Sequence, residues 1–132
     1  SYELHDAKAA EDFLLTAKED AEDLEEIFLR LATIYMEQER FEDIIALQSQ
    51  EPENLLTKWM IARSYQEIED LDQAYELYQE LSSDLKDNPE FLEQYTYVLR
   101  ELGYFEEAKK QAEAYLKLIP DDIQMQELLE TL

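Results

Sequence analysis

Leu102-Gly103-Tyr104-Phe105-Glu106-Glu107-Ala108 decides the fold, because Ile68-Glu69-Asp70-Leu71-Asp72-Gln73-Ala74 repeats its pattern. Each heptapeptide runs from an apolar residue through a polar or glycine break to a bulky apolar residue, with Ala three positions later. The two alanines stand 34 residues apart. A weaker copy reads Gln38-Glu39-Arg40-Phe41-Glu42-Asp43-Ile44, with Gln38 in the leading apolar place and Ile44 in the Ala place. A fourth reads Leu4-His5-Asp6-Ala7-Lys8-Ala9-Ala10. Ala10 to Ile44 is again 34 residues, whereas Ile44 to Ala74 is only 30.

Upstream of each break an apolar stripe recurs. Phe28, Leu31, Ala32 and Tyr35 fall at i, i+3, i+4 and i+7, one face of a helix. Ile61, Ala62 and Tyr65 repeat three of these places, and Leu92, Tyr95, Thr96 and Leu99 repeat all four. Downstream, Leu71, Ala74 and Tyr78 form a second stripe, as do Phe105, Ala108, Ala112 and Tyr115. The unit is helix, tight turn, helix. Composition agrees. Glycine occurs once and proline three times in 132 residues, so the frequent turns of a sheet protein are missing. Glu, Leu, Ala, Lys and Gln dominate long stretches and favour helix.

This pattern resembles the tetratricopeptide repeat, a degenerate unit of about 34 residues. The match is strongest over residues 89–120, where Leu92, Tyr95, Leu99, Gly103, Phe105, Ala108 and Pro120 fall on family positions. Thr96 stands where Gly or Ala is usual. Residues 55–88 supply Ile61, Ala62, Tyr65, Leu71, Ala74 and Tyr78, with Trp59 one place after the usual Trp. Residues 25–54 supply Phe28, Leu31, Ala32, Tyr35 and Phe41. That unit is four residues short, about one helical turn, and Pro52 ends its second helix early. The resemblance implies an all-α, right-handed α-solenoid of antiparallel helix pairs. We expect one domain over residues 1–132: a half repeat at 1–20, repeats at about 25–54, 55–88 and 89–122, and a terminal helix at 122–132. Asn88 before Pro89 reads as a helix start, and Asp121 or Asp122 can cap the last helix. A stack that begins and ends mid-unit reads as cut from a longer array. The other reading makes both half-units the terminal caps that solenoids require.

A stack of this kind works by sharing its core. One helix pair cannot bury its apolar stripe alone, so neighbours complete it. Ala32, Ala62, Ala74 and Ala108 let backbones approach, and Phe28, Tyr35, Tyr65, Phe105 and Tyr78 are expected to fill the space between.

Charge restricts the function. The net charge is −23, from 34 acidic and 11 basic residues. Nucleic-acid binding draws on Lys and Arg against phosphate, and an anionic membrane surface repels such a chain. We therefore expect neither partner. The carboxylates solvate outer helix faces, or steer a basic partner. No cysteine is present, so disulfides and thiolate metal sites are excluded. No apolar run reaches the roughly 18 residues of a membrane span. The chain opens on Ser1 rather than Met, which leaves room for an upstream signal; we expect a cytoplasmic protein.

Catalytic groups do not converge. His5 is the single histidine, and one glycine cannot build a phosphate loop. Glu106 and Glu107 are adjacent and do not face one another on a helix. The acidic run Glu19, Asp20, Glu22, Asp23, Glu25, Glu26 lacks the ligand spacing of a calcium loop. We expect no enzyme, cofactor or metal site.

The resemblance implies that the first helix of each unit lines a concave groove. On this register the groove carries Leu29, Thr33 and Met36, then Leu56, Trp59, Arg63 and Gln66, then Tyr97 and Arg100. Glu26, Glu37, Glu67, Glu90, Glu93 and Glu101 are groove positions on the same register. Trp59 misses the stripe of its own helix, and Trp and Arg dominate binding hot spots; alternatively it packs against the preceding unit. Arg63 and Arg100 either fork onto a partner's carboxylate or pair with Glu67 and nearby acids. Family members that clamp a C-terminal carboxylate use Lys and Asn where this chain has Leu29 and Thr33, so that ligand is not expected. The expected function is a scaffold binding a peptide or protein in the groove. The alternative is an acidic chaperone for secretion or assembly of basic or apolar clients. Self-association through exposed end helices is open to the chain.

Overall fold

The computed structural model describes residues 21–132. Within them the chain forms α1 (Ala21–Glu37), α2 (Phe41–Ala46), a 3-10 helix (Leu47–Gln50), α3 (Leu55–Glu67), α4 (Leu71–Leu81), α5 (Pro89–Leu102), α6 (Phe105–Leu118) and α7 (Ile123–Thr131). No strand occurs among the described residues. The fold is all-α and built from packed helices in short-looped pairs, as expected. The fourth motif copy, the first half repeat and His5 lie outside the described residues.

The helices fall into two compact units, parted between Ile68 and Glu69. In the first, α1, α2 and α3 pack on one another. Its core is Ile27, Phe28, Leu31, Ala32, Tyr35, Ile44, Leu47, Ile61 and Ala62, all buried. In the second unit α4 packs on α5, α5 on α6 and α6 on α7. Ala74, Ala108 and Ala112 are fully buried, which is what lets backbones approach. Tyr78, Phe91 and Tyr95 fill the adjoining space. Tyr78 stacks on Tyr95 at 5.7 Å between ring centres, and Phe91 tilts against both at 5.4 and 5.8 Å. Offset and tilted rings avoid opposing their like-charged faces. Burial raises the Tyr95 phenol to about 12.

The same turn closes three helices. Glu39, Glu69 and Gly103 all take left-handed backbone, with φ of 56°, 65° and 84°. In the first and last of these turns, Arg40 N–H donates to Tyr35 O at 2.8 Å and Tyr104 N–H to Leu99 O at 2.9 Å. These bonds satisfy carbonyls that the ending helix leaves open. The spacing of the three positions, 30 and then 34 residues, is that of the sequence motif. Three starts, those of α3, α5 and α7, are set by side chains. Asn54 accepts from Leu56 N–H at 2.9 Å and Thr57 N–H at 3.2 Å. Asn88 accepts from Phe91 N–H, with Pro89 at the first helical position. Asp122, of the two candidates, caps α7 by accepting from Met125 N–H at 3.1 Å.

One core expectation fails. Phe105 is 49% exposed. It is the first residue of α6, so its side chain stands at the helix end beside the turn, one turn short of the buried Ala108. Tyr65 is only half-buried, and its hydroxyl donates to Gln48 Oε1 at 2.5 Å. Phe91 and Val98, absent from the expected stripe, are fully buried and widen the apolar face of α5.

Candidate functional site

The first unit brings two of the expected stripes onto neighbouring helices, since α1 and α3 are in contact. On α1, Leu29, Thr33 and Met36 share an arc of about 60°. Leu29 and Met36 are half-buried, and Thr33 is exposed with its hydroxyl donating to Leu29 O at 2.8 Å. That bond is local and helical, so it leaves the methyl of Thr33 as the contact this residue presents.

On α3, Leu56, Trp59, Arg63 and Gln66 share an arc of about 80°. Of the buried residues of the same helix, Thr57, Ile61 and Ser64 lie on the opposite side, and Ala62 adjoins Gln66 at the edge of the stripe. Leu56 is 48% exposed, and Trp59, Arg63 and Gln66 are half-buried. The stripe therefore lies off the core face except at its Gln66 edge, where it borders Ala62. Its charge is unusual for so acidic a chain: among the described residues no carboxylate lies in ion-pair range of Arg63. Glu67, one turn on and exposed, does not close on it.

Tyr97 and Arg100 sit one turn apart on α5 in the second unit. The Arg100 guanidinium lies 5.1 Å from the centre of the Tyr97 ring and donates to Glu101 Oε1 at 3.2 Å. A cation over an aromatic face is attracted by the ring quadrupole, and the carboxylate draws it further. Arg100 is thus held locally, and what this helix presents is a stacked Tyr–Arg pair. Arg63 and Arg100, alike in the sequence pattern, differ in this respect.

Sequence reasoning missed a tyrosine–carboxylate pair in the second unit. Tyr115 is buried, and its hydroxyl donates to Asp122 Oδ2 at 2.5 Å. That bond, then burial, raises the Tyr115 phenol well above the usual tyrosine range. The same bond, aided by Met125 N–H, lowers the Asp122 carboxyl. The signal was present as Tyr115 and Asp122 seven apart across Pro120, but only the helix break brings them together. Tyr75, 5.1 Å from the Tyr104 ring, is raised by burial and by its bond to Glu107.

Among the described residues no group of three or more His, Cys, Asp or Glu side chains is placed to hold a metal ion. No described helix is long and apolar enough to cross a membrane.

Helices packed on their neighbours within each unit, with left-handed turns recurring at 39, 69 and 103 and buried alanines at the helix contacts, define a tetratricopeptide-type helical repeat protein. The chain belongs to the YpiA-like C-terminal tetratricopeptide repeat family, whose model matches residues 56–122, just over half of its length. No curated protein matches the chain.

Proposed function

We propose that the chain is a protein-interaction scaffold whose contact surface is the stripe Leu56, Trp59, Arg63 and Gln66 on α3, extended by Leu29, Thr33 and Met36 on α1. Tyr97 and Arg100 on α5 act as a further contact of the same kind. One observation carries the reading. Arg63 is a half-buried arginine without an ion pair among the described residues, in a chain of net charge −23, one turn from the protein's single tryptophan. A Trp and an unspent planar cation on a half-exposed face make a hot-spot pair. The partner segment offers an apolar side chain to Trp59 and Leu56 and a carboxylate or carbonyl to Arg63.

The test is a peptide-display selection on the unaltered chain, followed by measurement of the selected peptides on Trp59→Ala and Arg63→Ala. Trp59 emission serves as the binding signal for the wild type and for Arg63→Ala. Each substitution is expected to weaken binding about tenfold or more, the loss of one hot-spot contact. Peptides held equally by both variants would remove this surface from consideration. The chaperone reading draws on the acidic field instead, and its clients would be released as salt rises, whereas peptides centred on Trp59 would stay bound.

A further inference from the structure

A cavity of about 310 Å³ in the first unit is lined by Glu39, Arg40, Phe41, Glu42, Asp43 and Ile68. It lies between the turn at 38–40 and the end of α3, away from the Leu56–Gln66 stripe. Its apolar wall is Phe41, half-buried, and Ile68, 42% exposed.

The charges around it do not cancel. Arg40 is already engaged: its Nε donates to Asp43 Oδ2 at 2.8 Å, its Nη1 to Gln38 Oε1 at 3.3 Å, and its guanidinium lies 4.5 Å from the centre of the Tyr35 ring. Asp43 is neutralised by that pairing. Glu39 and Glu42 are exposed, and no cation lies in ion-pair range of either among the described residues. An apolar wall beneath two uncompensated carboxylates matches a side chain with an aliphatic stem and a cationic head. Such side chains lay their methylenes on apolar surface and keep the charge at the rim. The net charge of −23 further favours approach of a cationic segment.

We propose that this cavity is a docking site for a lysine side chain of a partner protein, with the stem on Phe41 and Ile68 and the ammonium between Glu39 and Glu42. The site is separate from the tryptophan stripe and stands or falls without it. Amide NMR titration of the full chain with acetyl-Ser-Lys-Ser-amide tests the assignment, with the norleucine peptide as the uncharged isostere. Saturable shifts are expected at 39–43 and at Ile68, with a dissociation constant of about 1 mM. They should be absent with norleucine and unchanged in Trp59→Ala. The double variant Glu39→Gln, Glu42→Gln should bind about tenfold more weakly, while Glu76→Gln, Glu80→Gln, an equal charge change on α4, should bind as wild type. Shifts spread over the acidic surface, equal losses in the two double variants, or no saturable shift at 39–43 would overturn the proposal.

Discussion

Among the described residues three Ser and Thr hydroxyls are buried in the core, and their surroundings give one substitution opposite effects at two places. Ser64 Oγ donates to Met60 O at 2.7 Å, and Thr96 Oγ1 donates to Leu92 O at 2.7 Å. Thr57 is fully buried, and its Oγ1 has no hydrogen-bond partner among the described residues. A buried hydroxyl left unsatisfied costs about 1–3 kcal/mol. Valine replaces that oxygen by a methyl of nearly the same size, and its helix propensity is close to that of threonine. Thr57→Val should therefore stabilise the first unit by about 1 kcal/mol, the low end of that range. Thr96→Val removes a made bond and should cost about 0.5–1.5 kcal/mol. The two variants should differ by about 2 kcal/mol in urea unfolding followed by far-UV circular dichroism. Amide exchange assigns each change to its helix. Trp59 emission gives a second reading at α3, two residues from the substitution. Loss of stability in Thr57→Val would mean that the Thr57 hydroxyl is satisfied in solution, a gain in Thr96→Val would mean that its bond to Leu92 contributes nothing, and either would refute the contrast.

Other consequences follow from single bonds. The Tyr115–Asp122 bond makes α7 sensitive at both ends of the pH scale. The Asp122 carboxyl is depressed in the fold, so its contribution is present above the unfolded value and is lost as pH falls through the folded one. The Tyr115 phenol is raised, so its contribution is complete below the ordinary tyrosine value and is lost as pH climbs through the folded one. Tyr115→Phe should let the Asp122 carboxyl rise back toward 3.8, read by carboxyl NMR titration, and should flatten the alkaline limb; an unchanged Asp122 titration would contradict the assignment. At the left-handed turns, Gly103→Ala should cost about 1 kcal/mol from backbone alone, because nothing lies within 4 Å of the added Cβ. Glu69→Gly, at the matching turn, should lose nothing, since relief of the strained φ offsets the added chain entropy; urea midpoints that move together would count against this. Glu25→Ala should speed amide exchange at Glu53 and Asn54, whose N–H groups donate to the Glu25 carboxylate at 3.0 and 2.8 Å, and unchanged exchange there would show that the carboxylate does not hold the loop.

The elements that were legible are those with a period. Leu31, Ala32, Ala62, Ala74, Leu92, Leu99, Ala108 and Ala112 were all placed by 3.6-residue spacing, and each is buried. Asn54, Asn88 and Asp122 cap helices because short polar side chains compete for open N–H groups, although Asn54 was not singled out beforehand. Phe105 was misread because periodicity ignores where a helix starts: the motif position is apolar, yet the first residue of a helix has no preceding turn to cover. Arg63 and Arg100 show the limit at the surface. Both occupy the register expected of a groove, and only the rotamers show that one is held by Tyr97 and Glu101 while the other has no ion pair among the described residues. The cavity beside Phe41 was beyond reach of the pattern, because Ile68 and Glu39 meet only through the packing of α3 against α2.

The short first unit shows how a repeat absorbs a deletion. Four missing residues were legible as a second helix ended early by Pro52. What replaces them was not. After Ala46 the chain tightens into the 3-10 helix, which rises about 2.0 Å per residue against 1.5 Å for the α form. Six α residues and four 3-10 residues therefore span about 17 Å, close to the span of the 11-residue α4. The tighter rise recovers the one residue by which this helix is short, and the other three missing residues come out of the connection, which is 51–54 here against 82–88 in the next repeat. Glu51 then takes a left-handed φ of 51°, Pro52 is buried, and the Glu25 carboxylate of α1 grips the next two N–H groups. That grip spans 28 and 29 residues of sequence, so no local pattern announces it. It fixes the entry to α3 at Asn54, and with it the angular setting of Leu56, Trp59, Arg63 and Gln66. The contact surface proposed on α3 is thus positioned by an acidic residue on another helix. At least one carboxylate of this acidic chain is structural rather than solvating.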